Sequence, residues 1–497
     1  MNLRTLLSYL EKYDASGNLD IDISGLAYDS REIHPGYLFA ALPGFNYHGA
    51  QFLTDAEAAG AAAILTNLEV KTELTRIYVD SPRHALAILS NVFYGSPSHH
   101  LRLFGVTGTN GKTTSTFLLR SALEAAGIRS GLLGTVQYRG SQFLSRATLT
   151  TPESLDLQKM LAAMVAEQCG ACVMEVSSHS LIQNRVASCR FESVIFTNLT
   201  QDHLDYHKTM EDYFQAKWMV FENQICKTEM AAINKDDAYG QRILKQRRKL
   251  GLKSVSYGFE EGADYLITEW NSTPQNSELW IEFGEGGSSR DKILLKTPLI
   301  ARFNAYNVCG VFAALHSCGI SAEHIAAGVE RMQQVPGRLE RIHHGQPFLI
   351  FIDYAHTEDA LRQLLQTVRA YTDKKLVILF GCGGDRDRGK RPLMGEVAGQ
   401  LADTIILTSD NPRSEDPKDI IEDILIGVHA SGNKNVNIML DRTEAIEFAL
   451  RNLNPGDTLL LAGKGHENYQ MIGSEKFHFD EREILANSLA GSYEANR

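Results

Sequence analysis

The sequence has no apolar run close to the roughly 18–20 residues that span a bilayer, so membrane insertion is not expected. It has no surplus of basic residues either. Lys and Arg number 49 against 60 Asp and Glu, a net charge of −11, which argues against wholesale nucleic-acid binding. Seven cysteines in 497 residues do not make a disulfide framework. Cys169-Gly170-Ala171-Cys172 is a lone CxxC with Cys172 inside an apolar run, so it reads as packing rather than zinc or redox chemistry. There is no repeat, no low-complexity tract and no G-x-G-x-x-G, so neither a solenoid nor NAD binding is inferred. The opening residues 1–7 are followed too soon by Glu11 and Lys12 for a secretory signal, and the expectation is a cytoplasmic enzyme. With 43% apolar and 22% charged residues, the length suggests about three globular domains.

What is present is a phosphate-binding signature. Gly108-Thr109-Asn110-Gly111-Lys112-Thr113-Thr114 follows the apolar strand 103–107 and precedes a predicted helix over 115–126. Backbone N–H groups of such a loop turn toward phosphate oxygens, Lys112 reaches the β/γ-phosphates, and the Thr113 hydroxyl suits Mg²⁺. The usual first glycine is replaced by Val106, so the loop is a variant of the general form.

The alternation of strand and helix patterns predicts an α/β protein in three units. A small first unit covers 1–99, a central unit that carries the phosphate loop on a mostly parallel sheet covers 100–335, and a Rossmann-like unit covers 336–497, after a linker at Val335-Pro336-Gly337-Arg338. Central strands are expected at 130–136, 171–176, 193–199 and 230–234, with antiparallel strands over 252–298. The third unit has strand patterns at 347–352, 375–380, 404–407, 436–440 and 458–461.

Open α/β sheets bind ligands at the carboxyl ends of their strands. Glu175 lies at one such end, and Asp202 and His203 at another, a carboxylate and an imidazole suited to hold Mg²⁺ against a nucleotide. Lys217, on a predicted helix, has the local pattern of a solvated helix-face charge. In the third unit, the run 381–391, Asp410-Asn411-Pro412-Arg413 and 462–467 each follow a strand pattern. Arg386 and Arg413 suit a carboxylate and Glu467 an ammonium, which together fit a zwitterionic amino acid.

The chain resembles the Mur ligases, the ATP-dependent amino-acid-adding enzymes of peptidoglycan precursor synthesis. The resemblance rests on an ordered series: the phosphate loop, Glu175 to His179, Thr197-Asn198-Leu199 with 202–205, Asn304 and Asn307, 337–340, and Asp353-Tyr354-Ala355-His356. Asp29-Ser30-Arg31, 36–40 and the third-unit loops resemble the branch that adds the third residue of the peptide, and Arg413 in Asp-Asn-Pro-Arg resembles its meso-diaminopimelate users. The resemblance implies transfer to the D-Glu γ-carboxylate of UDP-MurNAc-L-Ala-D-Glu through an acyl phosphate, with L-lysine as the alternative amino acid. The first-domain motif argues against a folylpolyglutamate-synthase-like enzyme, and Lys112, Glu175, His203 and Lys217 together argue against an inactive scaffold.

The resemblance also implies site roles. ATP would be held by Gly108 to Thr114, Asn307, Arg338 and Asp353. Mg²⁺ would be held by Thr113, Glu175, His203 and Lys217, the last carrying an Nζ-carbamate from carbon dioxide. The uridine diphosphate end would meet Tyr28, Ser30 and the turn 44–47. Thr150, Thr151, Ser177, Gln183 and Arg185 would hold the muramoyl dipeptide. Arg386 and Asp410 to Arg413, with Gly463 and Glu467, would hold the amino acid. A monomer is expected.

Overall fold

The computed structural model describes residues 1–44, 47–284 and 290–494. Among them, three main sheets follow one another along the chain. In the first, Asp14–Ser16, Thr75–Tyr78, Ala63–Thr66, Tyr37–Ala40 and Gly25–Ala27 lie side by side in that order. All its pairings are parallel except that of Asp14–Ser16. Helix Pro82–Phe93 covers one face, with Leu86 and Leu89 packed in a core with Leu38 and Ile77. Its start is set by Ser81, whose hydroxyl accepts the His84 amide, and by Pro82 in the first turn.

The second sheet has eleven strands, and Arg102–Thr107 is one of its inner strands. Ala171–Glu175 and Arg190–Phe196 flank that strand, both parallel to it. Covered on both faces, the strand is apolar almost throughout. Phe104 and Val106 join the core of Leu118, Leu119 and Phe312, whereas Leu103 joins Met174, Phe191 and Phe196 on the opposite face. Val106, where other phosphate loops carry glycine, is fully buried in register with Glu175 and Ile195. The strand therefore continues through that position, and the loop begins only at Gly108.

Helix Lys112–Ala125 begins three residues earlier than the hydrophobic pattern predicts, because Gly111 adopts a left-handed φ of 86° and starts the first turn on Lys112. It packs against helix Ala322–Arg331 at near-backbone distance: a Cβ on Gly328 would lie 2.3 Å from the Ala122 Cα. Ser254–Gly258 corrects one expectation, since it pairs parallel to both neighbours; antiparallel pairing begins only with Tyr265–Ser272, Ser277–Phe283 and Asp291–Thr297. The strand expected at 193–199 stops at Phe196, which frees Thr197 and Asn198 to leave the sheet.

The third sheet runs in the order Glu340–Ile342, Leu349–Asp353, Thr458–Ala462, Leu376–Phe380, Thr404–Leu407 and Val436–Ile438. Only the first pairing is antiparallel. Three adjacent parallel strands thus deliver the loops after Ala462, Phe380 and Leu407 to the same edge. The seven cysteines are free thiols, and Cys172 is buried within Ala171–Glu175. No helix among the described residues is long and apolar enough to cross a membrane.

Candidate active site

The phosphate loop is held open by contacts that only glycine permits. Gly108 has φ +150°, and a Cβ there would stand 1.9 Å from the Thr197 Oγ1; one on Gly111 would stand 2.4 Å from the Asn307 Oδ1. The neighbouring strand end completes the frame. Thr197 Oγ1 donates to the Asn110 carbonyl at 2.6 Å, and the Asn110 amide donates to the Asn198 Oδ1 at 3.0 Å. Asn307 Nδ2 donates to Asn304 Oδ1, and Asn304 Nδ2 to the Ile300 carbonyl, so the helix Arg302–His316 presents Asn307 to the loop in a fixed orientation.

A cavity of about 1040 Å³ opens in front of this loop. Thr109 to Thr114, Glu175, His203, Lys217, Asn307, Arg338 and Asp353 all line it, as do Thr150, Ser177, Gln183 and Arg185. Lys112 Nζ folds back onto the Gly108 and Thr109 carbonyls at 2.9 and 2.7 Å. Glu175 is buried at its strand end, where Oε1 accepts the Thr135 amide at 2.8 Å and Oε2 the Thr135 hydroxyl at 3.0 Å. His203 sits at φ 55° with its Nε2 3.5 Å from Asp202 Oδ2. Partial burial pushes its imidazolium down in pKa, against the pull of Asp202. That favours the neutral, metal-competent ring.

Lys217 overturns its local pattern. It is 1% exposed, its Nζ donates to the Gly108 carbonyl at 2.9 Å, and it lies 4.6 Å from the centre of the Tyr213 ring. Burial, with the Lys112 ammonium close by, pushes its pKa well below the ordinary lysine range. Tyr213 in turn brings its hydroxyl within 3.3 Å of Thr109 Oγ1. Neither Tyr213 nor Thr135 carries a sequence signal of its own; both matter through neighbours far away in the chain.

The third unit reaches the same cavity through the linker. Arg338 Nη2 donates to the Thr113 hydroxyl at 3.2 Å. Asp353 lines the cavity, but its two oxygens accept the Leu339 and Ala355 amides at 2.6 and 2.7 Å, so it also shapes the linker backbone. Among the described residues, no group of three or more His, Cys, Asp or Glu comes together as a metal centre. That donor set still fits Mg²⁺, which takes one or two protein carboxylates and completes its shell with phosphate and water.

The remaining expected residues lie at the rim of the cavity or beyond it. Thr151 is buried beside the cavity, where its hydroxyl donates to the Glu175 carbonyl. Arg185 is braced by the Thr151 carbonyl, by Gln183 and by Glu153. Tyr28 is in the first unit and donates to Asp156 at 2.6 Å; Ser30 opens the short helix Ser30–Glu32. Phe45 and Asn46 of the turn 44–47 lie outside the described residues.

The amino-acid candidates form a second cluster, and none of them lines the cavity. A Cβ on Gly383 would lie 2.9 Å from Arg413 Nη1 and 3.7 Å from Arg386 Cγ, so these two arginines flank one glycine. Beside them, Asn411 Nδ2 donates to Glu467 Oε2 at 2.8 Å, and a Cβ on Gly463 would lie 2.9 Å from Asp410 Oδ2. Lys464, fully buried, bridges Asn411 Oδ1 and Glu467 Oε2 at 3.2 and 3.5 Å. Burial and Asp410 raise the Glu467 pKa against the opposing pull of Lys464. The sequence shows Lys464 in the loop but not its burial between two candidate ligands. Pro412 contributes shape: its carbonyl would meet a Cβ on Gly384 at 1.9 Å.

Three family models match the chain: Mur ligase family, catalytic domain, over 22–94; Mur ligase middle domain over 106–315; and Mur ligase, glutamate ligase domain, over 337–465. The UDP-N-acetylmuramoyl-L-alanyl-D-glutamate–2,6-diaminopimelate ligase of Synechococcus elongatus is 43% identical, with 99% of each chain covered. Ligase 1 of that name from Clostridium acetobutylicum is 41% identical, covering 98% of this chain and 99% of its own. A solved structure of a UDP-N-acetylmuramoyl-L-alanyl-D-glutamate–2,6-diaminopimelate ligase superposes with a TM-score of 0.70 at 30% identity, covering 99% of both chains. The expected three-domain α/β architecture is the one observed, and the chain belongs to the Mur ligase family.

Proposed function

We propose that this protein is an ATP-dependent amide ligase that joins meso-2,6-diaminopimelate to the D-Glu γ-carboxylate of UDP-MurNAc-L-Ala-D-Glu. One observation supports this most directly: the arginine pair Arg386 and Arg413 stands beside the Asn411–Glu467 pair at one edge of the third sheet. Meso-diaminopimelate carries a second amino-acid head, whose carboxylate suits the arginines and whose ammonium suits Glu467. Lysine lacks that carboxylate and would leave the arginines without an anionic partner from the substrate.

A carboxylate is a poor acyl donor, so the γ-carboxylate oxygen first attacks the ATP γ-phosphorus and ADP departs. The amine then attacks the acyl carbon, the carbon–oxygen bond to phosphate breaks, and the nitrogen loses a proton as the amide forms. Gly108 to Thr114 cradle the phosphates, Lys112 and Arg338 offset their charge, and Asn307 and Asp353 shape the nucleotide end. Mg²⁺, when bound through Thr113, Glu175, His203 and a carbamylated Lys217, supplies further charge neutralisation. The Lys217 carbamate is supported by the residue's burial beside Gly108, where an uncharged amine can capture carbon dioxide. Thr150, Thr151, Ser177, Gln183 and Arg185 orient the dipeptide, and Tyr28 and Ser30 the uridine diphosphate. The units 1–99, 100–335 and 336–497 belong to the same reading, supported by three sheets whose strands fall within those spans. Catalysis by a monomer in the cytoplasm completes it.

Phosphate release from ATP in the presence of UDP-MurNAc-L-Ala-D-Glu is the test. Meso-diaminopimelate is expected to stimulate release at least about a hundredfold more efficiently than L-lysine, the scale of discrimination a site built to pair a polar substrate group provides. Efficient turnover with lysine alone would reject the assignment.

A further inference from the structure

The run Asp385-Arg386-Asp387-Arg388-Gly389-Lys390-Arg391 holds four basic residues, and one of them behaves unlike the rest. Arg391 is fully buried. Its Nη1 donates to Glu415 Oε2 and to Asp423 Oδ2, both at 2.9 Å, and its Nη2 to Glu415 Oε1 at 2.8 Å and to the Gly383 carbonyl at 3.3 Å. One planar fork thus ties the loop after Phe380 to the loop after Leu407.

Further bonds run through this joint. The Asp385 amide donates to Glu415 Oε1 at 2.6 Å, and the Ser414 hydroxyl donates to Asp385 Oδ1 at 2.6 Å. The Gly384 amide donates to the Asn411 carbonyl at 2.9 Å, while Arg413 Nη1 donates to the Gly384 carbonyl at 2.6 Å. Asp385 and Arg413 both hold a left-handed φ of 52°, a conformation that costs energy outside glycine and persists only where the surroundings enforce it. The platform beneath is equally fixed. Helices Lys390–Leu401 and Pro417–Ser431 touch at backbone distance, where a Cβ on Gly427 would lie 1.8 Å from the Pro392 carbonyl and one on Gly395 2.1 Å from the Ile424 carbonyl.

We infer that Arg391 is a positioning residue for amino-acid selection: through Glu415 and Gly383 it fixes the separation of Arg386 and Arg413, and with it the preference for a substrate bearing a second carboxylate. This rests on the proposed function. Arg391 is buried behind the two loops and acts through them. A guanidinium is required because three acceptors on two loops and a helix must be met in one plane, which the single ammonium of lysine does not reproduce.

The test compares wild type, Arg391→Lys and Glu415→Ala with meso-diaminopimelate and with L-lysine under saturating ATP and UDP-MurNAc-dipeptide. Glu415→Ala truncates a partly exposed side chain, so it reports even if the buried substitution does not fold. In both variants the KM for meso-diaminopimelate is expected to rise roughly tenfold or more while kcat falls less, and the preference over lysine is expected to drop by a similar factor. KM values for ATP and the nucleotide substrate should stay within about twofold of wild type. Equal losses with both amino acids, or an unchanged preference in Glu415→Ala, would overturn the inference. If wild type itself shows no preference for meso-diaminopimelate, it is the proposed function that fails instead.

Discussion

Lys217→Ala is expected to lose at least about a thousandfold in kcat, with folding intact and with partial recovery in added formate or acetate. The lysine Nζ is buried 2.9 Å from the carbonyl of Gly108, the first residue of the phosphate loop, in a cavity that also contains Glu175 and His203. An ammonium there would add to the charge of Lys112 and Arg338; a carbamate would instead present two acceptor oxygens to Mg²⁺. Truncation to alanine leaves space in which a small carboxylate can stand. The direction of rescue therefore discriminates. Recovery with carboxylates supports the carbamate. Recovery with methylamine and not with carboxylates would mean that the positive charge is what the site uses, and full activity without any additive would remove Lys217 from the chemistry altogether. Circular dichroism and thermal unfolding of the variant separate these outcomes from misfolding.

Lys112→Met is the second large effect. Its aliphatic stem is retained, so helix Lys112–Ala125 should keep its packing, but the ammonium proposed to offset the phosphate charge is gone. Phosphate release is expected to fall by about two to four orders of magnitude, the range seen when a preorganised charge at a phosphoryl-transfer site is removed. Nucleotide binding should weaken less than turnover, because the loop amides continue to hold the phosphates. Burial lowers the pKa of Lys112, opposed by Glu175, and both its present acceptors are loop carbonyls. ATP thus has to draw the ammonium away from Gly108 and Thr109. A variant with wild-type turnover would show that Lys112 serves the loop's shape alone.

Much of this site was legible because phosphate binding is written locally. A strand, two glycines, a lysine and a helix start lie within a few residues, and backbone geometry follows from them directly. Glu175 could be read from its strand end and His203 from the loop that follows Phe196, since a parallel sheet delivers such positions to one edge. Lys217 could not. Its spacing gives only a helix face, and its burial depends on Tyr213 and on a carbonyl over a hundred residues away. Arg391 is the sharper case. It shares a run with Arg386, Arg388 and Lys390, and nothing local sets it apart; the first turn of helix Lys390–Leu401 directs it inward onto Glu415 and Asp423. The parallel pairing of Ser254–Gly258 was missed for a related reason, because pairing direction is set by what lies across the sheet and not by composition. Val106 shows how an apparent defect in a motif becomes informative. The valine keeps its position inside the strand, so the loop begins two residues later, at Gly108.

The claim on which the rest depends is that ATP activates the D-Glu γ-carboxylate by transferring its terminal phosphoryl group to it. UDP-MurNAc-L-Ala-D-Glu bearing heavy oxygen in both γ-carboxylate positions, incubated with the enzyme, ATP, Mg²⁺ and meso-diaminopimelate, tests this directly. Mass spectrometry should find one labelled oxygen in the released phosphate and the other in the new amide, with ADP as the nucleotide product. Label appearing in AMP, or phosphate carrying none, would contradict the account.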